Sequence, residues 1–437
     1  MTASAAIALF GWGIVVLVLF AVLPGRRAAA AAFVAGWLFL PVVTYPIAGL
    51  PDYDKIAATC APPLIAMCIF DFRRLLRLRP CWADVPILLF CLSPFASAIE
   101  NRLGVHEGLS AVFAQCVAWG IPYMIGRSYF DDLPSLRELA IAILAGGAVY
   151  VPLSLFELWS GRQLSQLVYG YRQLVPVISF GIVRPKVFLQ SGLMLALWMA
   201  AAAIVALWLW KSSALPKIRN ISTGWLVAVM IASVILIRSV NGWIDLLVGA
   251  GLLFLVTRWR TTAPVIGLMV LMLAYIGVRA SGVWSGRQIV DGVRKVLNKQ
   301  KSRSVNYRFV NEDVIAANAR QHVLVGWGRQ EAVTINPQTH QRAVPDSLWI
   351  IIFGTFGALG LLGLTGSILL PVILLIIRIP PGKWSDPAIA PAAAMAMLLV
   401  VFMTDNLANA MEHPVFMVAA GGLSGFLVNY HAKIAAV

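Results

Sequence analysis

Long apolar runs separated by short polar breaks dominate this chain. They lie at 5–23, 28–50, 55–70, 83–99, 106–126, 138–158, 191–210, 222–237, 239–257, 262–278, 346–377, 388–408 and 414–432. A helix of roughly 17 to 25 apolar residues crosses the hydrocarbon layer of a bilayer. Backbone polar groups in lipid must pair within the segment or in a closed barrel, and no alternating strand pattern is evident, so the runs predict helices. The pattern therefore predicts an all-α polytopic membrane protein with twelve or thirteen transmembrane helices. The ambiguity comes from the stretch 222–257, whose only break is "RSVNG". The first run has no basic residues ahead of it and further spans follow at once, so it reads as a span rather than a cleaved leader.

Two connections are long, 159–190 and 279–345. They divide the chain into N-terminal spans (1–158), a first loop (159–190), central spans (191–278), a large loop (279–345) and C-terminal spans (346–437). Within the large loop, "SGRQIVDGVRKVLNKQK" places Ile289, Val293, Val296 and Leu297 at helical spacing, with Arg287, Arg294, Lys295, Lys299 and Lys301 mostly elsewhere. Such a helix lies in a membrane interface or carries a solvated charged face. "YRFVNEDVIAANAR" predicts a second helix, with Phe309, Val310, Val314 and Ala317 on one side. It stops before "GWG", whose glycines permit a sharp turn.

Charge then gives the spans a direction. The chain is 60% hydrophobic, 12% charged and carries a formal net charge of +15. One set of short connections and the tail hold sixteen basic residues: Arg26, Arg27, Arg73, Arg74, Arg77, Arg79, Arg127, Arg137, Lys211, Lys217, Arg219, Arg258, Arg260, Arg378, Lys383 and Lys433. The opposite set holds three, Lys55, Arg102 and Arg238. This bias makes the first set and the C-terminus cytoplasmic, and puts both long loops on the outer face. Those loops hold the other fifteen basic residues against four acidic ones. A basic surface facing away from the cytosol argues against a nucleic-acid partner and for an anionic substrate or lipid headgroup. The five cysteines, Cys60, Cys68, Cys81, Cys91 and Cys116, lie on or beside spans and read as packing thiols.

Four stretches carry a family likeness: "VNYRFVNEDVIAANARQHVLVGWGR", "VRPKVFLQSGLMLALWM", "LIRSVNGWIDLLVGAGLL" and "PDSLWIIIFGTFGALGLLG". An arginine that opens a helix and is followed by "VGWG" resembles the large outer loop of the O-antigen polymerase and O-antigen ligase superfamily. The other three are similar to that family's span starts, although the residue order of the third departs from its pattern. The likeness covers roughly 180 to 365. It implies an integral membrane glycosyltransferase of the bacterial inner membrane. Such an enzyme moves glycan from a polyprenyl pyrophosphate lipid to an acceptor on the periplasmic side, beside membrane lipids and other polysaccharide assembly proteins. Ligases of the family place histidine in the last motif, where this chain has Asp346 and Ser347. That departure favours a polymerase of surface polysaccharide or exopolysaccharide over a ligase. A transporter or flippase of the same lipid would be expected to show repeated halves and matched broken spans; a non-catalytic assembly partner is a further alternative.

The resemblance implies roles for particular residues. Arg308 and Arg184 match its arginine positions and would hold phosphate oxygens in a fork. Arg308 has a structural alternative, a salt bridge to Glu312 one helical turn away. Asp346 is the candidate base, or the N-cap of the following span. Arg287, Arg320, His322 and Arg329 are candidate substrate contacts, or solvated loop residues. Arg238 and Asp245 lie on one helix face near the outer boundary, as a site or as a structural pair. "TDNLANAMEHP" places Asp405, Asn406, Glu412 and His413 at the outer end of two spans, lining a cavity or capping helices. Metal-binding and nucleotide-binding motifs such as HExxH, CxxC and the P-loop do not stand out, so neither cofactor is expected.

Overall fold

A computed structural model describes residues 2–47, 51–172, 178–179, 182–215, 223–296, 299–336 and 341–430. The helices run in chain order as follows. The first group is α1 (Ala3–Val22), α2 (Gly25–Phe39), α3 (Lys55–Phe70), the short α4 (Phe72–Arg77), α5 (Val85–Glu100), α6 (Val105–Gln115) and α7 (Ile121–Tyr129). Next come α8 (Leu133–Ser160), α9 (Leu164–Tyr169), α10 (Gly192–Lys211), α11 (Thr223–Leu236), α12 (Val240–Trp259) and α13 (Ala263–Ser281). The large connection contributes α14 (Arg287–Val296), α15 (Lys299–Ala319) and α16 (Gln330–Thr334), before α17 (Leu348–Arg378), α18 (Ala390–Asp405) and α19 (Pro414–Val428).

Each of the thirteen predicted runs contains a helix. Among the described residues eight are long and apolar enough to cross a membrane: α1, α5 with its leading turn, α6 continued into α7, α8, α10, α12, α13 and α17. The protein is thus a multi-pass α-helical membrane protein. α2, α3, α11, α18 and α19 are shorter, at 14 to 16 residues.

Several boundaries move for local reasons. The run 28–50 stops being helical at Phe39, because Pro41 bars Leu40 from the helical region. Chain direction then reverses through a two-residue antiparallel pair, Thr44–Tyr45 with Tyr53–Asp54. The "RSVNG" break is real: Arg238 adopts φ 54°, a left-handed conformation that separates α11 from α12. Lys217, Arg219, Leu297 and Lys433 lie outside the described residues.

Small residues decide which helices are innermost. α10, with its run of alanines, and α18 and α19, rich in alanine and glycine, are buried along nearly their whole length. Without bulky side chains the backbones approach closely, and dispersion replaces the hydrophobic drive that lipid does not supply. A Cβ added at Gly421 would lie 1.9 Å from the Tyr123 carbonyl oxygen, and one at Gly126 would lie 2.1 Å from that of Val418. α7 and α19 therefore touch backbone to backbone. α1, by contrast, faces outward with Ile7, Ile14 and Val22 largely exposed, as a lipid-facing helix should be.

α17 is broken inside the bundle. Gly357 has φ 65° and ψ −162°, which only glycine accepts readily, and the helix changes course there. The freed backbone groups are satisfied by "VLVGWG". Trp327 and Gly328 donate their N–H groups to the carbonyls of Gly354 and Thr355, and Ala358 and Leu359 donate theirs to Val323 and Leu324. Ser97 Oγ and Asn101 Nδ2 of the α5 end donate to the Gly326 carbonyl. Irregular backbone at this depth is tolerable because these freed groups find protein partners.

Candidate functional site

The bundle has two unlike ends. At one, described residues of the two long connections meet the neighbouring turns, Tyr171 accepting from the Val42 N–H and Arg308 reaching Ala408; at the other lie the short arginine-rich turns. The loop-rich end is where the predicted site residues gather.

α15 brings Arg308 to this end. Its Nη1 donates to the Ala408 carbonyl at 2.9 Å, and its Nε stands 3.8 Å from Asp346 Oδ2. The pair is open, with side-chain exposures of 37% and 31%. Among the described residues a single N–H of the guanidinium is spent, so a fork of donors remains for a ligand. The alternative partner Glu312 is engaged elsewhere. Ser347, not Asp346, is the N-cap residue of α17, and its backbone carbonyl accepts from Ile351. Asp346 therefore stands one residue ahead of the cap and faces Arg308.

What holds Arg308 in place is a closed ionic cluster that sequence reading did not single out. Arg279, near the end of α13, is 2% exposed. It donates to Glu312 Oε2 at 3.0 Å, to Asp313 Oδ1 at 2.6 Å and to the carbonyls of Trp284 and Phe309, and lies over the Phe309 ring. Ser347 Oγ donates to the other Glu312 oxygen. One arginine thus ties α13, α15 and the start of α17 together. The cluster also explains a correction. The buried face of α15 is Glu312, Ile315, Ala316 and Ala319, whereas Val310 and Ala317 of the expected face are exposed. The pairing of Glu312 and Asp313 turns the helix. An arginine closing an apolar run was the available signal.

Beside Arg308, the 406–413 turn closes over the bundle. Asn406 and Asn409 accept the Leu348 N–H through their carbonyls, and Asn409 and Asn241 donate side-chain N–H groups to Asp405 Oδ1 at 2.7 and 3.3 Å. Asp245, one turn beyond Asn241, is 3% exposed and lies within electrostatic reach of Asp405. Arg238 itself is exposed at the α11–α12 break.

Arg184 packs against the first turn of α10, and a Cβ at Gly192 would lie 2.2 Å from its Cδ. Burial pulls its guanidinium below the usual arginine range. α10 is in turn packed on α12 where Ala196 meets Gly242, next to Asn241. Arg184 and Arg308 therefore share one end of the bundle, separated by the first turns of α10 and α12. Lys55, 5% exposed, donates to the Phe188 carbonyl at 2.7 Å and pins the first long connection to α3. Glu157 anchors it again, accepting from the N–H groups of Leu164, Lys186 and Val187.

The remaining predicted residues are spread along the large connection. Arg287 is exposed at the start of α14, and Arg320 donates to the Ala280 carbonyl. The His322 ring packs at a tilt against Trp327, with centroids 4.3 Å apart, within the segment that fills the α17 break, and Arg329 pairs with Glu107 at 3.3 Å. Neither these two nor Arg287 touches the Arg308–Asp346 pair.

A cavity of about 430 Å³ opens at the same end, lined by Asp52, Tyr53, Asp54, Gln115, Trp119 and Glu412 among others. Glu412 is exposed to this cavity; desolvation by the surrounding protein, then the Asp54 charge, pushes its carboxyl up to about 7. Next to it His413, 1% exposed, is boxed by Trp37, Trp198 and Phe416. Burial, and then the Lys55 charge, pulls that imidazole well below its usual range, which keeps it neutral. Among the described residues no group of three or more His, Cys, Asp or Glu is placed to hold a metal ion.

Neither a protein-family model nor a curated protein matches this chain. The likeness to the polymerase and ligase superfamily therefore stands on the quoted motifs alone.

Proposed function

We propose that this chain is a membrane glycosyltransferase that polymerises polyprenyl-pyrophosphate-linked oligosaccharide repeat units into a surface polysaccharide or exopolysaccharide. In this reading the loop-rich end faces outward from a bacterial plasma membrane, the C-terminus is cytoplasmic, and all thirteen helical runs act as spans. The acceptor hydroxyl attacks the anomeric carbon of the donor sugar. The bond to the pyrophosphate oxygen breaks, and its electron pair leaves with the lipid pyrophosphate. The guanidinium groups of Arg308 and Arg184 hold the charge that develops there, and Asp346 takes the hydroxyl proton.

The observation that best supports the reading is the contrast at Arg308: its backbone is fixed through Arg279 and Glu312, while its guanidinium stays open. A fixed donor aimed at developing charge needs no reorganisation during the reaction. The Asp346–Ser347 dipeptide, where ligases of the family carry histidine, favours polymerisation over ligation to lipid or protein. The gathering of polar groups at one end favours an enzyme over a transporter.

The test is incubation of the purified protein with its lipid-linked repeat unit, without metal or nucleotide, followed by sizing of the products. A ladder is expected. Unchanged substrate in detergent, together with movement of the lipid across liposomes, would identify a transporter. Sidedness has its own check: Gln163→Cys in a cysteine-free background should label from outside with an impermeant reagent, and Ser213→Cys should not.

A further inference from the structure

The arginine-rich end carries a second built feature, remote from Arg308. α3 ends at Phe70, and the six-residue α4 follows it, burying none of its side chains. Between these elements and the end of α7 lies a cavity of about 610 Å³, lined by Asp71, Arg73, Arg74, Arg77, Arg127, Ser128 and Asp131, with Ile69, Phe70, Phe72 and Leu78 completing its wall. That volume lies within the range of small-molecule sites, about 300 to 1,000 Å³.

Most acids near this cavity are already committed. Asp84 takes both Nε and Nη2 of Arg127, at 2.9 and 3.0 Å, and Asp71 accepts from the Tyr129 hydroxyl at 2.8 Å. Asp131 also has a partner. Arg74 is held in place, donating to the Ser128 carbonyl at 2.6 Å with its guanidinium 4.9 Å from the Tyr129 ring. Arg73 and Arg77 remain, exposed, with no ion pair among the described residues. Around them Ile69, Phe70, Phe72 and Leu76 are 61%, 45%, 51% and 70% exposed. A short segment that exposes large apolar side chains beside uncommitted guanidinium groups matches the boundary between acyl chains and headgroups.

We infer that this cavity binds the phosphodiester headgroup of an anionic lipid from the leaflet at the arginine-rich end. Arg73 and Arg77 grip the phosphate oxygens, with Arg74 prepositioned behind them, and the apolar rim receives the acyl chains. The chemistry required is a phosphate monoanion tethered to a hydrophobic tail. Free phosphate shares the first part and lacks the second.

The experiment uses the full chain in nanodiscs of equal phosphatidylglycerol and phosphatidylcholine, with native mass spectrometry of retained lipid. The intact protein should retain phosphatidylglycerol in preference to phosphatidylcholine. Arg73→Ala with Arg77→Ala should weaken that retention about thirtyfold, at roughly a factor of five or six per interfacial cation. Arg258→Ala with Arg260→Ala removes the same charge from exposed positions at the same end and should leave retention unchanged. Should the alanine pair fail to fold, Arg73→Lys with Arg77→Lys keeps the charge but loses the fork geometry, and should retain less than the intact protein. Equal loss in both alanine pairs would reduce the effect to general attraction and overturn the site. Equal retention of the two lipids would overturn it as well. So would inorganic phosphate bound in phosphatidylcholine-only discs and able to displace phosphatidylglycerol, since that makes the ligand a soluble anion.

Discussion

Arg279 ends α13 and Arg308 lies on α15 of the connection that follows; both meet carboxylates, yet they do opposite things. Arg279 is closed in, with 1% of its side chain exposed, and every acid it meets lies on α15. Arg308 is open, faces Asp346 across 3.8 Å, and borrows a carbonyl from the turn after α18. Burying a charge is costly unless partners surround it, so the Arg279–Glu312 pair is structural: remove one and the other is stranded. An open ion pair adds little stability and leaves its groups free to meet a ligand. Burial, not residue type, separates a strut from a candidate site.

The largest effect should come from breaking the strut. Arg279→Ala leaves Glu312 buried without a counter-charge and should destabilise the fold by about 3 to 5 kcal/mol. Membrane abundance and thermal unfolding in detergent would read this; an unchanged melting temperature would show that the cluster carries no structural weight. Arg308 should behave the other way. Arg308→Lys and Arg308→Ala should each lower polymerisation by roughly 100- to 1000-fold while abundance stays normal, because an ammonium cannot reproduce the fork. Normal activity of the lysine variant would make Arg308 a generic cation. Asp346→Asn should also be inactive, and Asp346→His partly active near pH 7, where a neutral imidazole can accept the proton. An active asparagine variant would remove the base from the proposal.

A smaller effect is expected at the α17 break. Gly326 has φ 68°, and a Cβ there would lie 2.5 Å from the Thr355 carbonyl carbon. Gly326→Ala should cost about 1 to 2 kcal/mol from the left-handed backbone alone, and more from the clash. A wild-type melting temperature would mean that "VGWG" does not hold the break. Smallest of all should be the stability change in Asp346→Ala, at about 1 kcal/mol or less. A loss as large as that of Arg279→Ala would make the open pair a second strut and erase the contrast.

Much of the architecture is legible in the sequence. Apolar run length located a helix in each of the thirteen stretches, because helix formation in lipid depends on local hydropathy and internal hydrogen bonding. "RSVNG" marked a real break, and Pro41 explains the shortened second helix. The candidate site was legible only in part. Motif position points to Arg308 and Asp346, and the structure brings those two together. Arg329 and His322 came from the same stretch and go instead to Glu107 and Trp327. Nothing in local sequence distinguishes these fates.

The sequence by itself determined the class of protein, its helical segments and the uneven spread of arginine along its turns, since each follows from residue type and spacing within one segment. The tertiary structure decided which charges are closed in and which stay open. Arg279 finds its acids more than thirty residues away, and "GWG" finds its purpose in the broken backbone of α17. Such partners are selected by packing between segments, where a buried polar group must be matched, and hydrophobic periodicity carries no record of that choice.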